Sequence, residues 1–246
     1  MKAPLILHVD ENHPLLVEGL VTLGYENILA YETPIKEVLK NLHNYNQLNI
    51  PFFGINYGSI GFLMNQQGDE NLNKIIESSK ETILYPLQMK AVGINDESFS
   101  SIAYNEVSIM RQTHQAAKIN IRINDIEINK ELICDGVLVS TAAGSTAYNL
   151  SAHGSIIPLD SNLLALTPIS SFRPRRWRGA LLQKKTTIKF KVMNFNKRPA
   201  SITAGNSEFS DIQFVEVKSS DKYSCKILFD SIDSIEEKIL NEQFYS

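Results

Sequence analysis

The stretch "KINIRIND" at residues 118–125 places an apolar side chain at every second position. Side chains of a strand point alternately to opposite faces, so this period means one buried face and one wet face. The alternation recurs in "TTIKFKVM" (186–193), and further strand-forming runs follow in "ASITAG" (200–205), "IQFVEVKSS" (212–220) and "SCKILFD" (224–230). "ICDGVLVST" (133–141) reads as one buried strand. So many strands, with few helical stretches from about Met89 onward, bury their apolar faces by stacking sheet on sheet. An all-β sandwich domain is therefore expected over residues 91–230.

The chain before Met89 has a different rhythm. "LILHV" (5–9), "NILAY" (27–31) and "IPFFGI" (50–55) are short apolar runs of strand length. Between them lie "HPLLVEGLVTLG" (13–24), opened by Pro14 and closed by Gly24, and "TPIKEVLKNLHNY" (33–45), opened by Thr33 and Pro34. Proline at the first turn and glycine past the last are helix boundaries. Strand, helix, strand, helix, strand predicts a parallel, Rossmann-like α/β domain over residues 1–90. "DSIDSIEEKILNEQF" (230–244) reads as a closing helix, with residues 231–246 returning to the first domain.

Composition narrows the function. Hydrophobic residues make up 43% and charged residues 21%, and the formal net charge is −3. That balance argues against nucleic acid or a membrane surface as the main partner. Two cysteines, Cys134 and Cys225, stand in no metal-like spacing and read as reduced thiols of a cytoplasmic chain. The five histidines are scattered, so no protein-held metal site is expected.

Several stretches carry candidate chemistry. "GINYGSIGF" (54–62) brings Gly54, Gly58 and Gly61 after the third strand, where α/β proteins bind ligands. It serves equally as a plain turn, and it is not a Walker loop. Asn105 and Glu106 in "NEVS" suit ribose hydroxyls, or a polar turn. In "DGVLVSTAAGSTAYNLSAHG" (135–154), Asp135 opens a strand, Thr141, Ser145, Thr146 and Ser151 offer hydroxyls, Gly144 permits close approach, and Tyr148 offers a ring. A helix N-terminus there favours phosphate oxygens; a capped strand-to-helix corner needs the same residues. "RPRRWRG" (173–179) gathers four arginines around Trp177, as an anion contact, a subunit edge or a solvated loop. Ser145 lies outside any Gly-x-Ser-x-Gly elbow, which removes a serine hydrolase.

Taken in order, "GINYGSIGFLMN", "YNEVSI", "CDGVLVSTAAGSTAYNLSAHGSIIP" and "PISSFRPRRWRGALL" resemble NAD kinases, in their bacterial short form, from about Leu42 to the C-terminus. The resemblance implies an ATP-dependent transfer of phosphate to the adenosine 2′-hydroxyl of NAD, giving NADP. It implies Mg²⁺, or another divalent metal, brought with ATP, and a homodimer or homotetramer. It places NAD along Asn105, Glu106, Asp135, Ala143, Thr146, Ala147, Tyr148, Asn149, Leu150 and Ser151. Tyr148 stands at the nicotinamide side, and the Asn-Glu pair at the adenosine ribose and phosphate.

The first forty residues depart from that pattern. The family's Gly-Gly-Asp-Gly, whose Asp is its general base, occurs nowhere in the chain. Aligned without gaps it falls on Thr33-Pro34-Ile35-Lys36, with the acid position at Ile35 and with Glu32 and Glu37 as the nearest carboxylates. A gapped alternative falls on Gly24-Tyr25-Glu26-Asn27. "ILHVDENHPLLVEGLVTLGYEN" is similar instead to the opening of phosphoglycerate dehydrogenases, which fits a fused or mis-assembled gene. Gly205, in "TAGNSE", stands where the family tends to carry Asp. Impaired phosphoryl transfer is expected, with a noncatalytic NAD(P)-binding protein or partner subunit as the alternative. A dehydrogenase ranks third, because no Gly-x-Gly-x-x-Gly follows the opening segment.

Overall fold

The computed structural model describes residues 6–9, 29–32, 51–56, 65–66 and 72–230. The helices expected at 13–24, 33–45 and 231–244 lie outside these residues, as do Ile35, Glu37, Gly58 and Gly61. Two compact units emerge, one formed by residues 1–84 with 222–246 and the other by residues 85–221.

The first unit holds a six-stranded sheet. Strand β1 (Ile6–Val9) pairs in parallel with β2 (Leu29–Glu32) and with β3 (Pro51–Asn56). These are the three strands expected from the short apolar runs, each within two residues. Two-residue β4 (Asn65–Gln66) adds in parallel to β3, and helix α1 (Leu72–Ser78) leads into β5 (Lys80–Leu84). The last described strand, β18 (Cys225–Phe229), lies between β3 and β5, parallel to one and antiparallel to the other. Residues 224–230 were expected in the sandwich. They belong here because Ile227 and Phe229 bury beside the strand that carries Phe52 and Phe53. The side chain of Asn65 locks the arrangement. Its Nδ2 donates to the carbonyls of Gly54 and Leu228, both at 3.0 Å, and its Oδ1 accepts from the Asp230 amide at 2.8 Å.

The second unit is antiparallel throughout and consists of two six-stranded sheets. One contains β6 (Leu87–Gly93), β7 (Ser98–Ala103), β9 (Ala117–Ile123), β10 (Ile126–Cys134), β14 (Ile188–Val192) and β17 (Ile212–Ser219). The other contains β8 (Glu106–Arg111), β11 (Gly136–Ser140), β12 (Leu163–Ile169), β13 (Ala180–Gln183), β15 (Ala200–Ala204) and β16 (Ser207–Phe209). Period two decides what lies between them. Ile119 and Ile121, Ile188 and Phe190, and Met89 from the first sheet share one core with Val107, Ile109, Val137, Val139 and Ile202 from the second.

The run 133–141 is not one strand. It breaks at Asp135, with β10 ending in the first sheet and β11 beginning in the second. Gly136 sits at this corner because a side chain there would strike the Ile109 carbonyl and the Met110 sulfur. The boundary between units falls at residues 84/85 rather than 90/91, because β6 already pairs inside the sandwich with β17 and β7.

Candidate functional site

The outward face of the second sheet carries the candidate chemistry. Strand β11 is buried at all five positions, so both of its faces are covered. The core covers one face. The segment that follows, a 3₁₀ turn at Ala143–Thr146 and a single helical turn, α2 (Tyr148–Ser151), folds back near the other. A helix long enough to direct a dipole at phosphate was one reading of this segment. Four residues make no such dipole, and neither N-cap residue, Ala142 or Ala147, supplies a side-chain cap.

Hydrogen bonds clamp this segment to the Asn105–Glu106 corner. The Thr141 amide donates to the Asn105 carbonyl at 2.9 Å, and the Thr141 hydroxyl donates to the Tyr104 carbonyl at 2.6 Å. The same hydroxyl accepts from the Gly144 amide at 3.1 Å. Ser145 is fully buried; its hydroxyl donates to the Ala142 carbonyl at 2.7 Å and accepts from the Ile157 amide at 3.0 Å. Two of the four expected hydroxyls are thus committed to backbone. Thr146, half-buried, and Ser151, exposed, make no side-chain hydrogen bond among the described residues.

Gly144 is required for a different reason than ligand approach. A Cβ at that position would collide with the backbone of Asn105, so the glycine lets two chain segments touch. Asn149 also departs from expectation. It has no exposed surface. Its Nδ2 donates to the carbonyls of Ser145 at 3.0 Å and Ser155 at 2.9 Å, and its Oδ1 accepts from the Thr167 hydroxyl at 2.7 Å. Its amide ties the loop together through these three hydrogen bonds. Ala143 is buried in the same segment, while Ala147 and Leu150 remain half-buried along its surface.

Besides Thr146 and Ser151, four polar side chains stand at this corner. Asn105 Oδ1 and Glu106 Oε2 are buried without a hydrogen-bond partner among the described residues. Burial pushes the Glu106 carboxyl up to about 7. The Tyr148 ring is half-buried, and among the described residues its hydroxyl reaches only the Met110 sulfur, at 3.5 Å. Burial raises the Tyr148 phenol, and the charges of Glu106 and Asp135 raise it further, so all three groups share one neighbourhood. Asp135 is ion-paired, its Oδ1 lying 2.6 Å from Arg111 Nε. Arg111 was not anticipated. Its only signal in the sequence is its place at the end of the strand that Asn105 and Glu106 begin.

Two buried acceptors facing no donor need donors from elsewhere, since an unpaired buried acceptor costs about 1–3 kcal/mol. Hydroxyls of a sugar meet that need. Among the described residues no group of three or more His, Cys, Asp or Glu side chains could hold a metal ion.

The other stretches fall elsewhere. Gly54 lies in β3 of the first unit. Gly205 occupies the tight turn between β15 and β16 at φ +59°, and a Cβ there would stand 2.7 Å from the Ile102 carbonyl. Turn geometry therefore accounts for glycine at that position. Trp177 packs on the sandwich core, and the arginines gather instead on exposed Phe172, with Arg173 and Arg175 over its ring at 5.5 and 5.8 Å. Cys134 and Cys225 are both buried. His114 and His153 are exposed. No helix among the described residues is long and apolar enough to cross a membrane.

Comparison with known proteins is consistent with this geometry. Residues 104–227 match the family model of the ATP-NAD kinase C-terminal domain. NAD kinase of Rickettsia felis is 49% identical over 249 residues, covering 99% of this chain and 98% of that protein. Almost all of the first forty residues fall inside that match, which sets the dehydrogenase reading aside. Two solved structures share the fold. Yeast NADH kinase complexed with NADH has a TM-score of 0.81 at 17% identity, covering 99% of this chain and 89% of its own. An NAD kinase from Archaeoglobus fulgidus in complex with ATP has a TM-score of 0.78 at 19% identity, covering 98% of each chain.

Proposed function

The chain belongs to the NAD kinase family, and we propose that it transfers the γ-phosphoryl group of ATP to the adenosine 2′-hydroxyl of NAD, at a rate lowered by the missing Gly-Gly-Asp-Gly. The observation that carries the dinucleotide half is the pair of orphaned acceptors, Asn105 Oδ1 and Glu106 Oε2, beside the Tyr148 ring. Ribose hydroxyls donate to these two oxygens. Tyr148 offers its face to the nicotinamide side, and Thr146, Ala147, Leu150 and Ser151 line the loop surface with Ala143 beneath them. Asp135, held by Arg111, is the second acidic contact.

In the reaction the 2′-oxygen attacks the γ-phosphorus, the bond to the ADP oxygen breaks, and the hydroxyl proton leaves to a base. Mg²⁺ arrives with ATP as part of the substrate. Among the described residues none is assigned to the proton. The sequence places Ile35 at the family's acid position, with Glu32 and Glu37 as the nearest carboxylates. Loss of a general base typically lowers a rate by ~10²–10⁴-fold. Assembly as a homodimer or homotetramer in the cytoplasm belongs to the same reading.

One feature of the sequence favours a second reading, a noncatalytic NAD(P)-binding protein or partner subunit: the absence of that tetrapeptide. NADP formation with Mg-ATP, measured beside an NAD titration by calorimetry, separates them. Binding with slow turnover supports the first reading, and binding with no turnover supports the second. Absence of binding up to millimolar NAD removes both. Rebuilding residues 33–36 as Gly-Gly-Asp-Gly should raise NADP formation, and the same loop with Asn at 35 should not. A parent enzyme already working at an ordinary kinase rate overturns the impairment.

A further inference from the structure

One end of the sandwich holds a cleft of about 970 Å³ that shares no residue with the dinucleotide site. It lies where β12 begins and β13 ends in one sheet, and where β14 begins and β17 ends in the other. Lys184, Lys185 and Lys218 line it, with Asp221 as the one carboxylate among the described lining residues. The chain as a whole is acidic, so three ammonium groups against one carboxylate among the described lining residues make a local reversal of sign. Clefts concentrate the field of the charges that line them.

The basic wall is built on fixed backbone. The Lys184 amide donates to the Asn162 carbonyl at 2.8 Å, and the Thr186 amide donates to the Gln183 carbonyl at 2.9 Å, which closes the turn that presents Lys184 and Lys185. The Lys184 ammonium sits 3.2 Å from the centroid of the Tyr85 ring, another cleft residue. Among the described residues Lys185 and Lys218 make no ion pair. Ser161, at the same cleft, has a buried hydroxyl with no hydrogen-bond partner among the described residues. Burial also lowers the Lys184 ammonium, with the Asp221 charge opposing, as expected of a cation short of counter-charge.

We propose that this cleft is a second binding site, for a compact polyanion of the phosphorylated small-molecule class. The three ammonium groups neutralise its charge, and the Ser161 hydroxyl donates to one of its oxygens. The wall stands preorganised, so little ordering cost is charged against binding.

The test reads the lysines one by one and needs no catalysis, so it stands or falls separately from the kinase reading. The full chain is treated with a trace of acetic anhydride, with and without inorganic pyrophosphate, and acetylation at each lysine is read by mass spectrometry. Sodium chloride at matched ionic strength replaces pyrophosphate in the reference. Expected is a drop of about threefold or more at Lys184, Lys185 and Lys218, the size of one modest ion-pair contact, while exposed Lys90 and Lys130 react as before. In Lys218→Gln and in Ser161→Ala, half-protection of Lys184 and Lys185 should need several-fold more pyrophosphate. Unchanged reaction at the three lysines overturns the proposal. So does equal slowing at Lys90 and Lys130, which is general screening, or protection that is the same in both variants as in the parent.

Discussion

Arg111 holds Asp135 across the corner between the two sheets of the sandwich, with Nε 2.6 Å from Oδ1. The backbone joins in, since the Arg111 amide donates to the Asp135 carbonyl at 2.9 Å. A second guanidinium nitrogen donates to the Thr113 carbonyl, so the arginine is tied at both ends. The carboxylate that opens β11 is therefore aimed by a residue at the far end of β8.

Arg111→Ala should separate positioning from stability. Both side chains are about one-third exposed, and pairs of that kind contribute roughly 0.2–1 kcal/mol. Urea denaturation should thus show a small loss. Calorimetry should show NAD affinity falling several-fold, because Asp135 loses its orientation while remaining in place. Equal affinity in variant and parent would remove Asp135 from the site.

Glu106 makes stability depend on pH. Its carboxyl is raised to about 7 by burial, while in the unfolded chain it titrates near the ordinary carboxylate value. The folded state therefore holds the proton more tightly. Below the unfolded value both states are protonated and the group costs nothing. Between about pH 4.5 and 7 the unfolded chain gives up the proton first, so stability falls as pH rises, and the penalty is complete above 7. Its full size is on the order of 3 kcal/mol. Glu106→Gln carries no such term. Its stability relative to the parent should rise between pH 5 and pH 8 in paired urea titrations, while its dinucleotide affinity at neutral pH falls.

Tyr148→Ala should weaken NAD several-fold and leave the fold intact. The ring is half-buried, its hydroxyl makes only the long contact to Met110, and neither supports the core cluster. A stacked ring is worth on the order of 1 kcal/mol. Calorimetry measures the loss, and circular dichroism checks the fold. Unchanged affinity in a folded variant would count against the assignment.

Asn149→Leu should behave in the opposite way. It keeps the volume and strands the Ser145 and Ser155 carbonyls and the Thr167 hydroxyl. Each buried orphan costs about 1–3 kcal/mol, some of it recovered by relaxation. A fall of roughly 3 kcal/mol in unfolding free energy is expected. Gly154→Ala should point the same way, because its Cβ would collide with the Asn149 amide. A variant at 149 with parental stability and weakened NAD binding would restore Asn149 as a ligand contact.

The sequence by itself determined the strands and the family. Alternation at 118–125 and 186–193 depends only on which side chains avoid water, and each segment shows it without its neighbours. The motifs around Asn105 and Tyr148 were legible for the same reason, since their residues are contiguous. What only the tertiary structure decided are relations between segments far apart in the chain. Residues 225–229 have a strand pattern wherever they pair, and it took their register against Pro51–Phe53 to put them in the first unit. Asp135 looked like one position in a continuous strand until the sheets diverged around it. Gly144 and Asn149 looked like ligand residues because small and polar groups serve ligand and backbone alike. The close approach to Asn105 and the bond to Thr167 show what each does for the backbone. Periodicity is a property of one segment, whereas partner, register and burial are set by what another segment brings against it.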